Sequence, residues 1–495
     1  MSKCVFGVAL LATGLAMAGV ASGFSISSYQ SLQENATPPP VATVLDGDGA
    51  GNDITPSGTS GSFVYDWGDV NGDGTRNDPV ATAGLNVGSN KVYTPYVAGT
   101  AVEDADLTLN LNGGNITGQG VWNATPYHSR NSSDYWAAPR YEAITTQHKD
   151  TYEPKAASGD INIVNVGELS CGSISTHQIW GYGSKSGHAG AIRIGEAAGT
   201  GDGPAGNVRV DNLDAQNDRN GYTEGVTVYS SGYVKIQDDD NDATANLGMV
   251  NACSIHTNGY TIKIYHEGDL RAGKILAHTG TGTYGSNNHG GTVILDGDYD
   301  DDAAGTPLGD CYVGLLDTSY KRNGYGDPNG NITVSGYDTV TIDTLNGYSL
   351  GPHSDAHASD VTITAKTLID LGLVDLSANG GQPGTLSLTV TGSTISIGEL
   401  DCNGVQQAIF NNAGGDNYVD ALLNFDTADP LSSNLVAPDQ LVWYDRALSG
   451  MSGTYFIADG GIVLPIGARD PRLVPEPAAL SLLGLAMLGL RRKRR

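Results

Sequence analysis

The chain has 495 residues and a formal net charge of −28, with 54 Asp plus Glu against 26 Lys plus Arg, and 69 glycines. So acidic a surface repels nucleic acid and anionic lipid and attracts divalent cations. The glycines have no period of three, which excludes a collagen-type chain, and a hydrophobic content of 39% allows a thin core. The composition predicts an all-β, turn-rich protein, long enough for one long solenoid or about three compact domains.

Residues 1–23, MSKCVFGVALLATGLAMAGVASG, place Lys3 before an apolar run from Cys4 to Val20 and then small residues. That order is expected of a secretory signal peptide cleaved after Ala21 or Gly23. Residues 24–105 form an Asp/Gly-rich, loop-rich N-terminal segment. Within it, DVNGDGTRND puts Asp69, Asn71 and Asp73 at positions 1, 3 and 5 of a calcium loop, with Gly74 at the bend. Thr75 would offer its carbonyl and Asn77 a side chain or a water. The stretch resembles a dockerin or EF-hand loop. Position 12 is Val80 where a carboxylate is expected, and Asp66 or Asp78 would have to substitute. A calcium site and an ordinary Asp-Asn-Gly turn both remain open, since the same residues dominate turns.

Residues 106–414 read as a β-solenoid. An apolar anchor recurs at Leu169, Leu213, Val250, Ile275, Leu316, Leu345, Val374 and Leu400, at spacings of 25 to 44 residues. Gly usually stands two positions before the anchor, and Asp, Asn or Ser often follows it. One coil cannot bury its own Val, Ile and Leu, so neighbours above and below must complete the core. The longer spacings hold Gly- and Asp-rich inserts, among them Asp238–Asp240 with Asp242, and Asp296, Asp298 and Asp300–Asp302, which read as solvated acidic loops. A set of β-sandwiches is the competing fold. Residues 415–473 carry longer apolar strands and are expected to cap the last coil.

Residues 474–495 read VPEPAALSLLGLAMLGLRRKRR. The apolar run Ala478 to Leu490 is 13 residues, short of the roughly 20 that span a bilayer as a helix. The five basic residues after it resist translocation. Pro475-Glu476-Pro477, the short apolar run and the basic cluster resemble a PEP-CTERM sorting signal. The resemblance implies an exosortase-like membrane protease as partner, transient insertion in the inner membrane, and delivery to the surface or extracellular matrix of a Gram-negative-type bacterium. It also implies exopolysaccharide as a companion. It says nothing of the body.

No HExxH or P-loop occurs, and His353, Asp355 and His357 sit in a Gly-rich stretch where a chance pairing explains them. The expectation is therefore a non-enzymatic secreted protein. A carbohydrate-active β-helix enzyme, lyase or glycoside hydrolase, is the alternative. Four cysteines follow the signal peptide: Cys171, Cys253, Cys311 and Cys402. Export permits disulfides, but stacking places these residues coils apart, so all four are expected to be reduced and buried.

Overall fold

The computed structural model describes residues 106–401, with breaks at 112, 120, 124–139, 147–157, 178–187, 198–202, 218–222, 238–246, 255–259, 280–289, 299–307, 322–329, 352–356, 380 and 392–393, together with Leu85 and Val92. Other strands are described by backbone pairing alone. The signal peptide, the candidate calcium loop at Asp69–Asn77, Cys402 and the Pro475–Pro477 motif lie outside the described residues.

Among the described residues the regular elements are all strands, paired mostly in parallel, with no helix. The chain winds through three sheets per turn. In the first, Leu107, Ile161, Ile192, Val226, Ile262, Val293, Ile332, Val361 and Leu386 stack in register. In the second, Ile116, Leu169, Val208, Val234, Leu270, Cys311, Val340, Ile369 and Ile395 do so. In the third the column is Ile144, Ile174, Leu213, Val250, Ile275, Leu316, Leu345, Val374 and Leu400. Every one of these side chains is buried. Each lies over its counterpart one coil away, about 4.8 Å below, the spacing of hydrogen-bonded strands. The arrangement is consistent with a β-solenoid. Toward the C-terminal side the three short strands of a coil merge into one: Ile332–Asn346 and Val361–Asp375 each run through all three sheets. Backbone pairing continues in parallel to Asp416–Leu423, and Gly453–Ala458 then pairs antiparallel with Val405–Asn412. On the other side, Ser62–Asp66 pairs in parallel with Asp106–Asn110.

Glycine marks all three corners, for one physical reason: before the first sheet, a Cβ on Gly190, Gly291 or Gly384 would strike the carbonyl of Gly159, Tyr260 or Ser359 in the neighbouring coil. At the corner before the third sheet, a Cβ on Gly314 would lie 2.7 Å from the Gly273 carbonyl oxygen, and one on Gly273 would lie 2.8 Å from that of Leu247. Gly248 and Gly372 meet the carbonyls of Asp211 and Asp343 more closely still. The backbone of each coil sits directly on the one below, and no side chain fits between them. The corner before the second sheet repeats the device: a Cβ on Gly167 would lie 2.5 Å from the Gly113 carbonyl oxygen, and Gly206 and Gly309 are as crowded by Gly167 and Gly268.

That duplication corrects the first anchor. Leu169, with Gly167 two residues before it, was aligned with Leu213, but it stacks on Val208 in the second sheet, and Ile174 is the residue over Leu213. Gly-x-apolar occurs at all three corners, so the pattern alone does not tell them apart. The cysteine register changes with it. Cys171 lies over Val210 in the second sheet rather than in the column of the third-sheet anchors. Cys171, Cys253 and Cys311 are free and buried. Cys311 is in the same sheet as Cys171 but four coils away, roughly 19 Å at the strand spacing and far beyond the ~7 Å that a bridge allows. Cys253 packs with Met249 and Leu276 outside the main core. Titrating the unreduced, denatured mature protein with a thiol reagent should therefore count four thiols. A count of zero is incompatible with this stacking.

Candidate functional site

The described residues offer two concentrations of chemistry, one inside the stack and one on its surface. The inner one begins at the residue after each third-sheet anchor, where the chain leaves the sheet. Ser175, Asp214, Asn251, Asp317 and Asp375 each accept, through a side-chain oxygen, a hydrogen bond from the backbone N–H two residues on. These are Asx- and Ser-type turns, in which a short polar side chain takes the place of a backbone carbonyl. Leu276 occupies the equivalent position in one coil and breaks the series.

The next side chains along this corner form a buried polar network. His177 Nδ1 lies 3.3 Å from Asp214 Oδ2. Asn251 Nδ2 donates to Gln216 Oε1 at 2.6 Å. Lys321 Nζ lies 2.8 Å from Asp317 Oδ2, and His278 Nε2 lies 4.0 Å from the same oxygen. Ser319 Oγ donates to Asp317 Oδ1 at 2.5 Å. Burial pushes the Asp317 carboxyl up, but His278, Lys321 and the hydrogen bonds from Lys321 and Ser319 outweigh it and leave the group below the usual carboxylate range. Burial likewise opposes the charge on Lys321, and Asp317 more than restores it.

Cys253, His278 and Asp317 are the residue types of a thiol nucleophile, its base and an orienting carboxylate. All three are at most 1% exposed. Burial, with a further push from Asp317, drives the Cys253 thiol well above its ordinary range. A thiol held protonated and away from solvent is no nucleophile. The observed hydrogen bonds instead hold the corner in shape.

The surface concentration is on the outward side of the second sheet. Ser170, Arg209, Lys235, Arg271 and Tyr312 occupy successive rungs of one column. Strand alternation turns them outward because Val208, Val234 and Leu270 before them and Val210, Ile236 and Ala272 after them point in. Arg209 donates to Ser170 Oγ from Nη2 at 3.1 Å and from Nε at 3.3 Å. Lys235 Nζ is 5.1 Å from the centre of the Tyr233 ring, and the Arg271 guanidinium carbon is 5.6 Å from that of Tyr312. Both are cation–π distances. Tyr312 donates to Asp343 Oδ2 at 2.6 Å, and burial followed by that bond pushes its phenol up to about 12.

Of the residues singled out from the sequence, Asp296 and Asp298 are described and share a local turn, in which the Asp298 N–H donates to Asp296 Oδ1 at 3.4 Å. Asp238–Asp240, Asp242, Asp300–Asp302, His353 and Asp355 lie outside the described residues. Among the described residues, no group of three or more His, Cys, Asp or Glu is placed to hold a metal ion. Sequence reading missed both the polar corner and the cationic row. The corner left a trace, the Asp or Asn after most anchors. The row left only the tripeptides VRV, VKI and LRA, separated by inserts of unequal length. No family model, curated protein or solved structure matches this chain.

Proposed function

We propose that the chain is an exported, non-enzymatic protein of a bacterial cell surface or extracellular matrix. Its body is a β-solenoid with Gly- and Asp-rich inserts and capping strands on the C-terminal side. The observation that carries the reading is the order Pro475-Glu476-Pro477, apolar run, basic cluster, combined with the secretory pattern of residues 1–23. In this reading an exosortase-type protease acts at the Pro-Glu-Pro motif while residues 478–490 sit in the inner membrane. The body is then released among surface polysaccharides. The three buried apolar columns suit a stiff spacer.

The alternative, a polysaccharide-active enzyme, is favoured by one observation: Asp214, Asp317 and Asp375 form a file of carboxylates at one corner. Their Oδ1 atoms are, however, engaged in turning the chain. Release of oligosaccharides from a polysaccharide by the purified protein would establish that alternative.

Replacing Glu476 with Ala, or deleting residues 491–495, is expected to hold the unprocessed protein in the membrane fraction and to deplete it from the surface. Mass spectrometry of the C-terminal peptide decides the matter. If protein recovered from the cell surface still ends in Arg495, the sorting assignment is wrong.

A further inference from the structure

We infer that the outward column of the second sheet binds a linear, carboxylate-bearing polysaccharide along the stack, with Arg209, Lys235 and Arg271 meeting successive acidic groups. This rests on the matrix location proposed above for its choice of partner, but its test does not.

The first support is statistical and electrostatic. The chain has 26 Lys plus Arg against 54 Asp plus Glu, yet three cations fall on three successive rungs of one column. Parallel pairing sets neighbouring rungs about 4.8 Å apart, and like charges directly opposite one another destabilise a sheet. An acidic polymer laid along the column would meet a run of like charge on successive rungs.

The second support is the company the cations keep. Two of the three lie over tyrosine rings, which fixes the long side chains and lowers the entropy lost on binding. The third, Arg209, is steadied by Ser170. The column is partly exposed along its length.

The third support is selectivity by charge density. Duplex DNA carries one charge per about 1.7 Å and would be repelled by a molecule of net charge −28. A polyuronate carries at most one carboxylate per sugar, so the long-range repulsion is weaker while the local row still engages it.

The test uses the full chain and three probes: polygalacturonate, neutral dextran and duplex DNA. Affinity electrophoresis or biolayer interferometry should show binding to polygalacturonate and none to dextran or DNA. The triple variant Arg209→Thr, Lys235→Thr, Arg271→Thr keeps β-forming residues at outward positions and should weaken binding about tenfold or more. A charge-matched variant, Lys263→Thr, Lys274→Thr, Lys366→Thr, should bind like the parent. Equal weakening by both triples would show a net-charge effect and overturn the site. Equal binding of DNA or dextran would overturn the choice of occupant. If the first triple fails to fold, the single variant Lys235→Thr serves instead, and its unchanged affinity would equally dismiss the site. Loss of surface delivery in the Glu476 variant, by contrast, bears only on sorting.

Discussion

Acidifying the protein from pH 7 to about pH 4 is expected to remove about 3 kcal/mol of folding stability through one residue, His266. This imidazole is fully buried at the corner between the first and second sheets. Its Nε2 is 2.8 Å from Tyr337 Oη. Tyr337 belongs to a strand two coils further along and reaches back across Gly297, where a Cβ would lie 2.6 Å from the tyrosine ring. Burial opposes the imidazolium and depresses the group to about 3. The native state therefore keeps His266 neutral, whereas the unfolded chain takes up a proton below its ordinary value near 6.5. Stability is lost as pH falls through that value and continues to fall until the folded group titrates. Asp317, held below the carboxylate range, contributes stability that is lost only at more acid pH. Asp106 and Asp375 are raised chiefly by burial and act in the opposite sense. Comparison with the double variant His266→Phe, Tyr337→Phe cancels all three. Urea midpoints at neutral and acid pH should show the variant gaining about 3 kcal/mol relative to the parent at the acid end. Parallel pH profiles would show that His266 is not the group responsible.

Asp317→Ala should be the most damaging single change in the polar corner. It leaves Lys321, which the carboxylate holds in its charged form, without its nearest counter-charge, and it removes the turn that Asp317 caps. Breaking a buried ion pair costs about 3–5 kcal/mol. The Lys321 side chain is 18% exposed and can turn toward water, which places the expected loss at the lower end of that range. Asp317→Asn keeps a side-chain oxygen for the turn while discarding the charge, and should lose less than the Ala variant. The double change Asp317→Asn, Lys321→Met should recover part of the deficit, because it removes the unpaired charge. Thermal melts of the three variants separate the two contributions. If Asn and Ala prove equally harmful, the turn is irrelevant. If the double variant is no better than Asp317→Asn, the ion pair is.

The legible parts of the fold were those that the backbone enforces in every coil. A Cβ at Gly248, Gly273, Gly314 or Gly372 would strike a carbonyl of the coil below, so glycine recurs two residues before Val250, Ile275, Leu316 and Val374. The turn out of the third sheet needs a short side-chain acceptor, so Asp or Asn recurs just after the anchor. Both requirements leave a one-dimensional mark at a fixed distance from an apolar residue. Leu169 was misplaced because Gly167 obeys the same rule at a different corner. The cationic row carries no such mark: Arg209, Lys235 and Arg271 become neighbours only through hydrogen bonding between coils, after inserts of different length have been looped out. The His266–Tyr337 contact spans two coils and 71 residues and is equally invisible along the chain.

The direction of the backbone hydrogen bonds has a mechanical consequence. Within each sheet they run from one coil to the next, along the length of the stack, as from Leu107 to Asp160, Ile161 to Ala191 and Ile192 to Gly225. A pull on its two ends is borne by the coils in series, so the weakest junction yields first and its neighbours stay folded, since each coil depends only on those it touches. Each coil that peels away lengthens the tether by its whole contour, about 3.3 Å for every residue released. A stack of this kind, pulled along its axis, gives way in increments rather than all at once.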